Sequence, residues 1–245
     1  NDRHKGDAVF ILGAGPGLAE LSSEDVKQLE ARPSIGVNLT FYVAKPRYFL
    51  SAYIGQALLA RHRCPDTTVL HMRPVYAPPL VPGIIPLKRS MYDPARGLTR
   101  ALAVDEPTLF TKNNVVLGAT HLAFVMGARR IVYIGVEQRD QLHFWHRLPQ
   151  LLPVMREDVE ILRDVPFLDV DHPYATYQGA VAKIERTAEE CRGPFYKYSH
   201  AETFEQYFAF LRSAGIELIS TSKDSVVCDA GAEYRALAEV LGANA

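Results

Sequence analysis

The chain is 245 residues long, 48% apolar, and carries 27 basic against 28 acidic residues. That length and apolar content suit one large α/β unit with a substantial core. The near-zero net charge leaves no global field to recruit nucleic acid or an anionic membrane, and no apolar run reaches the ~18 residues a membrane span needs. Cys64, Cys191 and Cys228 are odd in number and lack paired metal spacing, so they read as reduced thiols of a cytoplasmic protein. The chain opens at Asn1 without a methionine, which leaves room for an upstream domain or signal.

Taken in chain order, Ala8 to Leu12 is an apolar run that fits an interior parallel strand. Gly13-Ala14-Gly15-Pro16-Gly17 follows, then a helical signal. Strand, glycine loop and helix in that order form a seat for a nucleotide phosphate. The glycines permit close backbone approach, and helix N–H groups offer partial positive charge to a diphosphate or phosphodiester. Ser22, Glu24 and Asp25 start a helix that Pro33 stops. Ser34 to Val37 is a strand ending at Asn38, and Arg47 to Leu50 the next. Tyr53 to Arg63 is a helix and Thr67 to His71 a strand. Six prolines between Pro74 and Pro94 argue against a regular helix or central strand, so this stretch is expected to be a loop.

Asn114 to Met126 carries a small-residue, apolar helix closed by Gly127, with Arg129 and Arg130 near its negative end. Ile131 to Val136 is a strand buried on both faces, and Glu137, Gln138, Arg139 and Asp140 just beyond it are expected to face a ligand crevice. Helices are expected at Thr176–Cys191, Ala201–Ser213 and Ala230–Leu241, with a last strand at Ile216–Ser220. The whole is an α/β fold: a Rossmann-like open, mostly parallel sheet with helices on both faces. It is expected to form one nucleotide(-sugar)-binding domain over 1–245, with 74–113 a proline-rich insertion or small lid.

The order of these motifs resembles the bacterial single-domain sialyltransferases, whose wider clan includes motility-associated glycosyltransferases and MptE-like diphosphokinases. Gly13-Ala14-Gly15-Pro16-Gly17-Leu18 stands where that family has GNGPSL. Ile35-Gly36-Val37-Asn38 matches a strand ending in a cytidine-contacting Asn, and Ile134-Gly135-Val136-Glu137 matches Ser-Gly-Ile-Asp. Gly118 keeps only the glycine of a Thr-Ser-Gly, with Val116 and Leu117 replacing the polar pair. Ser51 falls near a second cytidine-contacting Asn. Arg139 and Trp145 fall near two tyrosines that steady the leaving phosphate, and His200 precedes a helix as the family's general base does. The similarity spans roughly 8–50 and 110–225.

The resemblance implies a metal-independent glycosyltransferase, moving a nonulosonic-type sugar from a CMP-sugar to a hydroxyl of a glycan, lipid or protein acceptor. A homo-oligomer is compatible with it. The implied nucleotide contacts are Gly13, Ala14, Gly15, Pro16, Gly17, Asn38, Ser51, Gly118, Gly135 and Glu137. His200 suits the base because an imidazole titrates near neutrality, and Arg139 suits charge stabilisation on the phosphate. His121, His143 and His146 are the histidines to consider next, and His143, Trp145 and His146 could line the sugar or form a surface turn. No cofactor is expected. Three other readings remain: an MptE-like ATP- and Mg²⁺-dependent diphosphokinase, a non-catalytic nucleotide-binding domain, and methyl transfer from S-adenosylmethionine. In the diphosphokinase reading Glu137, Asp140, Asp169 and Asp171 would hold metal. Asp169-Val170-Asp171 has the oxygen ligands Mg²⁺ favours, whereas His143 and His146 lack a third ligand.

Overall fold

The structure is a computed structural model describing residues 3–73, 81–100, 102, 107–138, 142–163, 165, 181–182, 184–191 and 201–242. Nine strands form one sheet in which every pair is parallel. They are β1 (Ala8–Leu12), β2 (Ser34–Val37), β3 (Tyr48–Ser51), β4 (Thr68–Arg73), β5 (Ile84–Ser90), β6 (Thr108–Phe110), β7 (Arg130–Ile134), β8 (Glu217–Ser220) and β9 (Glu233–Tyr234). The order β6-β5-β4-β3-β2-β1-β7-β8-β9 runs outward from β1 in one direction, then restarts on its other side with β7. The chain thus reverses between β1 and β7, and in open parallel sheets ligands bind above the carboxyl ends at that reversal.

Alternation along the strands builds a core on each face. Val9, Ile11, Tyr48, Leu50, Ile131 and Tyr133 pack on one side, against α3 (Val115–Val125) and the helix Ala201–Ser213. Phe10, Leu12, Phe49, Val132 and Ile134 pack on the other, against α1 (Ser23–Glu30), α2 (Ile54–Arg63) and α4 (Leu152–Val159). Both faces being covered explains why these strands read as continuous apolar runs. The expected capping of α1 is present as a reciprocal pair, Ser22 Oγ accepting from the Asp25 N–H and Asp25 from the Ser22 N–H.

Four expectations are corrected. Residues 74–113 are not solely a loop or lid, because β5 lies inside the sheet between β4 and β6 with Pro86 in its middle. Lys88 donates its N–H to the Pro107 carbonyl on the β6 side. Pro86, two residues earlier, turns its nitrogen to that same side before the first β5–β6 pair, Lys88–Thr108. The missing N–H therefore breaks no bond of the described ladder.

The strand expected over 131–136 ends at Ile134, because Gly135 takes φ +64 and leaves the extended region. The expected helix 176–191 is interrupted at Arg186-Thr187. Thr187 and Glu190 form a capping pair there that starts α5 (Ala188–Cys191), while 176–180 lies outside the described residues. The C-terminus holds α6 (Ala201–Ser213) as expected. The single helix 230–241 is replaced by α7 (Val226–Asp229), β9 and α8 (Leu237–Gly242), since Gly231 turns at φ +100. β8 is therefore not the last strand.

Candidate functional site

The loop leaving β1 is fastened to the end of β7. Gly13 N–H donates to the Ile134 carbonyl and Gly15 N–H to the Gly135 carbonyl, each at 2.8 Å. Side chains are excluded here by contact: a Cβ on Gly13 would collide with the Gly135 carbonyl, and one on Gly15 with Glu137 Oε2. Ala14 accepts the Phe144 N–H at 3.0 Å. Pro16 opens a five-residue 3₁₀ helix, Pro16–Glu20, rather than an α-helix.

The expected seat for a diphosphate is altered at this point. Pro16 has no N–H, and the Gly17 N–H donates to Glu137 Oε1 at 3.2 Å, which also accepts Ser222 Oγ–H at 2.6 Å. Glu137 Oε2 is buried without a hydrogen-bond partner. The chain's own carboxylate thus stands where the loop's free donors were expected. Ser222 is held by the turn after β8, where Ser220 Oγ receives its N–H and Ser225 Oγ–H donates to its carbonyl.

A cleft opens over the carboxyl ends of β1, β2 and β7, lined by Gly13, Ala14, Gly15, Asn38, Val116 and Gly135 and bordered by Val136, Gln138, Leu142 and His143. Two of its non-glycine residues have left-handed backbones, Asn38 at φ 60 and Gln138 at φ 52. Asparagine tolerates that region; glutamine adopts it rarely, and such residues cluster at functional sites. Gln138 is held by Asn114, whose Nδ2 donates to Gln138 Oε1 at 3.1 Å while its Oδ1 caps α3 by accepting the Val116 N–H at 2.9 Å. The 11-residue α3 thereby directs its positive end toward the cleft.

Of the expected nucleotide contacts, the cleft gathers Gly13, Ala14, Gly15, Asn38 and Gly135. Pro16, Gly17 and Glu137 sit behind its glycine wall. Ser51 is buried, its single hydroxyl hydrogen shared between the Tyr53 carbonyl and Gln56 Oε1 while its oxygen accepts the Tyr53 N–H, so it turns the chain into α2. Gly118 is buried in α3, where a Cβ would press on Met72 Sδ and Thr111 Cγ2; it lets the helix close on the sheet. Neither lines the cleft. His200, Arg139, Asp140, Asp169 and Asp171 lie outside the described residues. Among the described residues no three His, Cys, Asp or Glu side chains gather as metal ligands.

The histidines separate into three roles. His121 is fully buried, its Nδ1 accepting the Phe110 N–H at 3.0 Å and its Nε2–H donating to the Thr99 carbonyl at 2.8 Å. Burial lowers its pKa to about 4, so it ties α3 to β6 as a neutral ring. His143 borders the cleft and stacks on Trp145 with ring centres 4.1 Å apart. Trp145 itself is fully buried and belongs to the core, not to a surface turn or a sugar-facing wall. His146 accepts the His143 N–H on Nδ1 at 2.9 Å and donates from Nε2 to the Arg186 carbonyl at 3.0 Å, which orients the turn carrying His143.

Asn114, Leu142 and Ser222 were not singled out by sequence. An Asn directly before a helical run is the readable signal for the first; nothing local marks the other two. A second, larger cleft lies at the amino edge of β2–β4, lined among others by Arg32, Lys45, Arg47 and Arg63. The carboxyl ends of α1 and α2 point there, so these cations complement helix carbonyls, and the reversal between β1 and β7 remains the better site.

Among the described residues no helix is long and apolar enough to cross a membrane. No protein-family model, curated protein or solved structure matches the chain significantly.

Proposed function

We propose that the chain is a glycosyltransferase of the sialyltransferase-like type, binding a CMP-sugar in the cleft between β1 and β7 and passing the sugar to a hydroxyl acceptor. The observation that carries this reading is the convergence of Gly13, Ala14, Gly15, Asn38, Gly135 and Gln138 on one cleft at the chain reversal. The glycines leave room for a ligand against the backbone. Asn38 offers an amide able both to donate and to accept, as a nucleobase edge requires. Gln138 keeps its Nε2 hydrogens for an acceptor once Asn114 has engaged its Oε1. The start of α3 supplies positive partial charge for one phosphate.

In this reading the acceptor oxygen forms a bond to the anomeric carbon as the bond from that carbon to the CMP phosphate oxygen breaks. His200 takes the acceptor proton, Arg139 offsets the charge on departing CMP, and His143 borders the donor. A cytoplasmic location accords with the free thiols of Cys64 and Cys228.

Calorimetry with CMP, UDP, ATP plus Mg²⁺, and S-adenosylmethionine, paired with a transfer assay using CMP-sugar donors, tests the proposal. Binding of CMP and transfer of its sugar are expected. His200→Ala is expected to lower kcat by ~10²–10⁴-fold with CMP affinity retained. ATP binding without cytidine binding at millimolar concentration overturns the proposal in favour of a diphosphokinase. Cytidine binding without turnover assigns a binding module. If His143→Ala abolishes turnover while His200→Ala does not, the base is His143.

A further inference from the structure

We infer that Glu137 is a specificity-determining residue that restricts the cleft to nucleotides carrying a single phosphate. The inference rests on the nucleotide-binding reading of this cleft and deepens it. Gly13, Ala14 and Gly15 form one wall of the cleft, and the Glu137 carboxylate lies directly behind that wall, against the Cα of Gly15. A glycine loop of this kind ordinarily meets a diphosphate with free backbone donors. Here the donors of its glycines are spent within the protein. Gly13 and Gly15 give their N–H groups to the β7 end, Gly17 gives its own to Glu137 Oε1, and Pro16 has none to give.

Glu137 also adds a charge that nothing among the described residues neutralises. Its two donors, the Gly17 N–H and the Ser222 hydroxyl, are both uncharged and both reach Oε1, while Oε2 is buried and unpartnered. Among the described residues no Lys, Arg or His pairs with it. A second phosphate laid along the glycine wall would bring like charge against this carboxylate through a single glycine, where low dielectric weakens the screening. One phosphate held at the start of α3, where Val116 lines the cleft, need not lie along that wall. Repulsion of the unwanted ligand is an established route to selectivity, and Glu137 sits where such an element is needed.

The test is calorimetry of CMP and CDP on the wild-type protein and on Glu137→Gln, an isosteric change that removes the charge and keeps an oxygen for Gly17 and Ser222. The wild type is expected to bind CMP at least tenfold more tightly than CDP. Glu137→Gln is expected to shift the CDP-to-CMP affinity ratio at least tenfold toward CDP. A wild type that binds CDP as tightly as CMP overturns the inference without recourse to the variant, so a poorly folding variant does not protect it. An unchanged ratio in a folded Glu137→Gln overturns it and leaves the nucleotide reading standing. If neither protein binds CMP or CDP, the nucleotide reading falls and the inference with it.

Discussion

His121 makes the stability of this chain sensitive to mild acid, by an amount that follows from its surroundings. The ring is fully buried in α3, stacked on Phe110, and both nitrogens are occupied, one by a backbone N–H and one by a backbone carbonyl. Burial holds its folded pKa at about 4, against about 6.5 in an unfolded chain. Above pH 6.5 the imidazole is neutral in both states and its contribution is fully present. As pH falls below 6.5 the unfolded chain takes up a proton that the folded protein refuses, and stability is lost until pH reaches about 4. The total loss is about 3 kcal/mol, of which about 2.5 kcal/mol has gone by pH 4.5. That is a large share of the ~5–15 kcal/mol that holds an ordinary domain folded.

The assay is urea unfolding of the wild type and of His121→Gln at several pH values from 7.5 to 4.5. Glutamine can accept from Phe110 and donate to Thr99 but does not titrate. It is expected to cost about 1–3 kcal/mol at pH 7.5 through imperfect packing and hydrogen bonding. The gap should then close or reverse as pH falls. His4, another buried histidine with a lowered pKa, weakens both proteins alike and cancels in the difference. A gap constant to about 0.5 kcal/mol across that range would refute the burial argument, since the proton would then be binding both states equally.

Gly13→Ala drives a Cβ into the Gly135 carbonyl and Val136 Cγ2, so β1 and β7 must part. It is expected to cost about 1–3 kcal/mol and lower Tm by roughly 2–12 °C, whereas Gly242→Ala, in open space at the end of α8, should leave Tm within about 2 °C of wild type or slightly above it in the same calorimetric scan. Asn38→Gly accepts φ 60 without strain and should retain Tm, while Asn38→Val, β-branched, should cost about 1–2 kcal/mol. Both should weaken CMP binding, and a glycine variant with wild-type affinity would show that the Asn38 amide does not read the base.

Much of the sheet was legible because its strands are buried on both faces and their neighbours are short-range. β1 to β4 and α1 and α2 fall within a residue or three of their expected bounds, marked by Ser22, Pro33 and the basic end of α2. The misreadings have physical causes that a local pattern does not carry. The prolines from Pro74 to Pro94 argue against a central strand, but the direction in which the Pro86 nitrogen points depends on where β6 begins, some twenty residues later. The helix expected over 230–241 fails at Gly231, which takes a positive φ and lies close to Arg212. Ser51 and Gly118 were polar or small residues near family positions, yet their neighbours, Gln56 and Met72 among them, give them packing roles.

The candidate site shows the same division more sharply. Its glycines and Asn38 were readable because close backbone approach and a left-handed turn each leave a residue-type signature in sequence. What Glu137 does is not readable locally, because its Oε1 is engaged by Gly17, 120 residues earlier, and Ser222, 85 residues later. The same holds for His143. Its ring lies on Trp145, a core residue, and its backbone N–H is held by His146, which in turn donates to the Arg186 carbonyl 40 residues later. The imidazole at the cleft is therefore oriented by buried packing beneath it and by a hydrogen-bond relay beside it. Pre-organisation of that kind places a side chain for a ligand without loss of further freedom on binding. It also explains why a turn rich in His and Trp, which reads as surface in one dimension, is folded partly into the core: the aromatic floor is what gives the histidine a fixed direction.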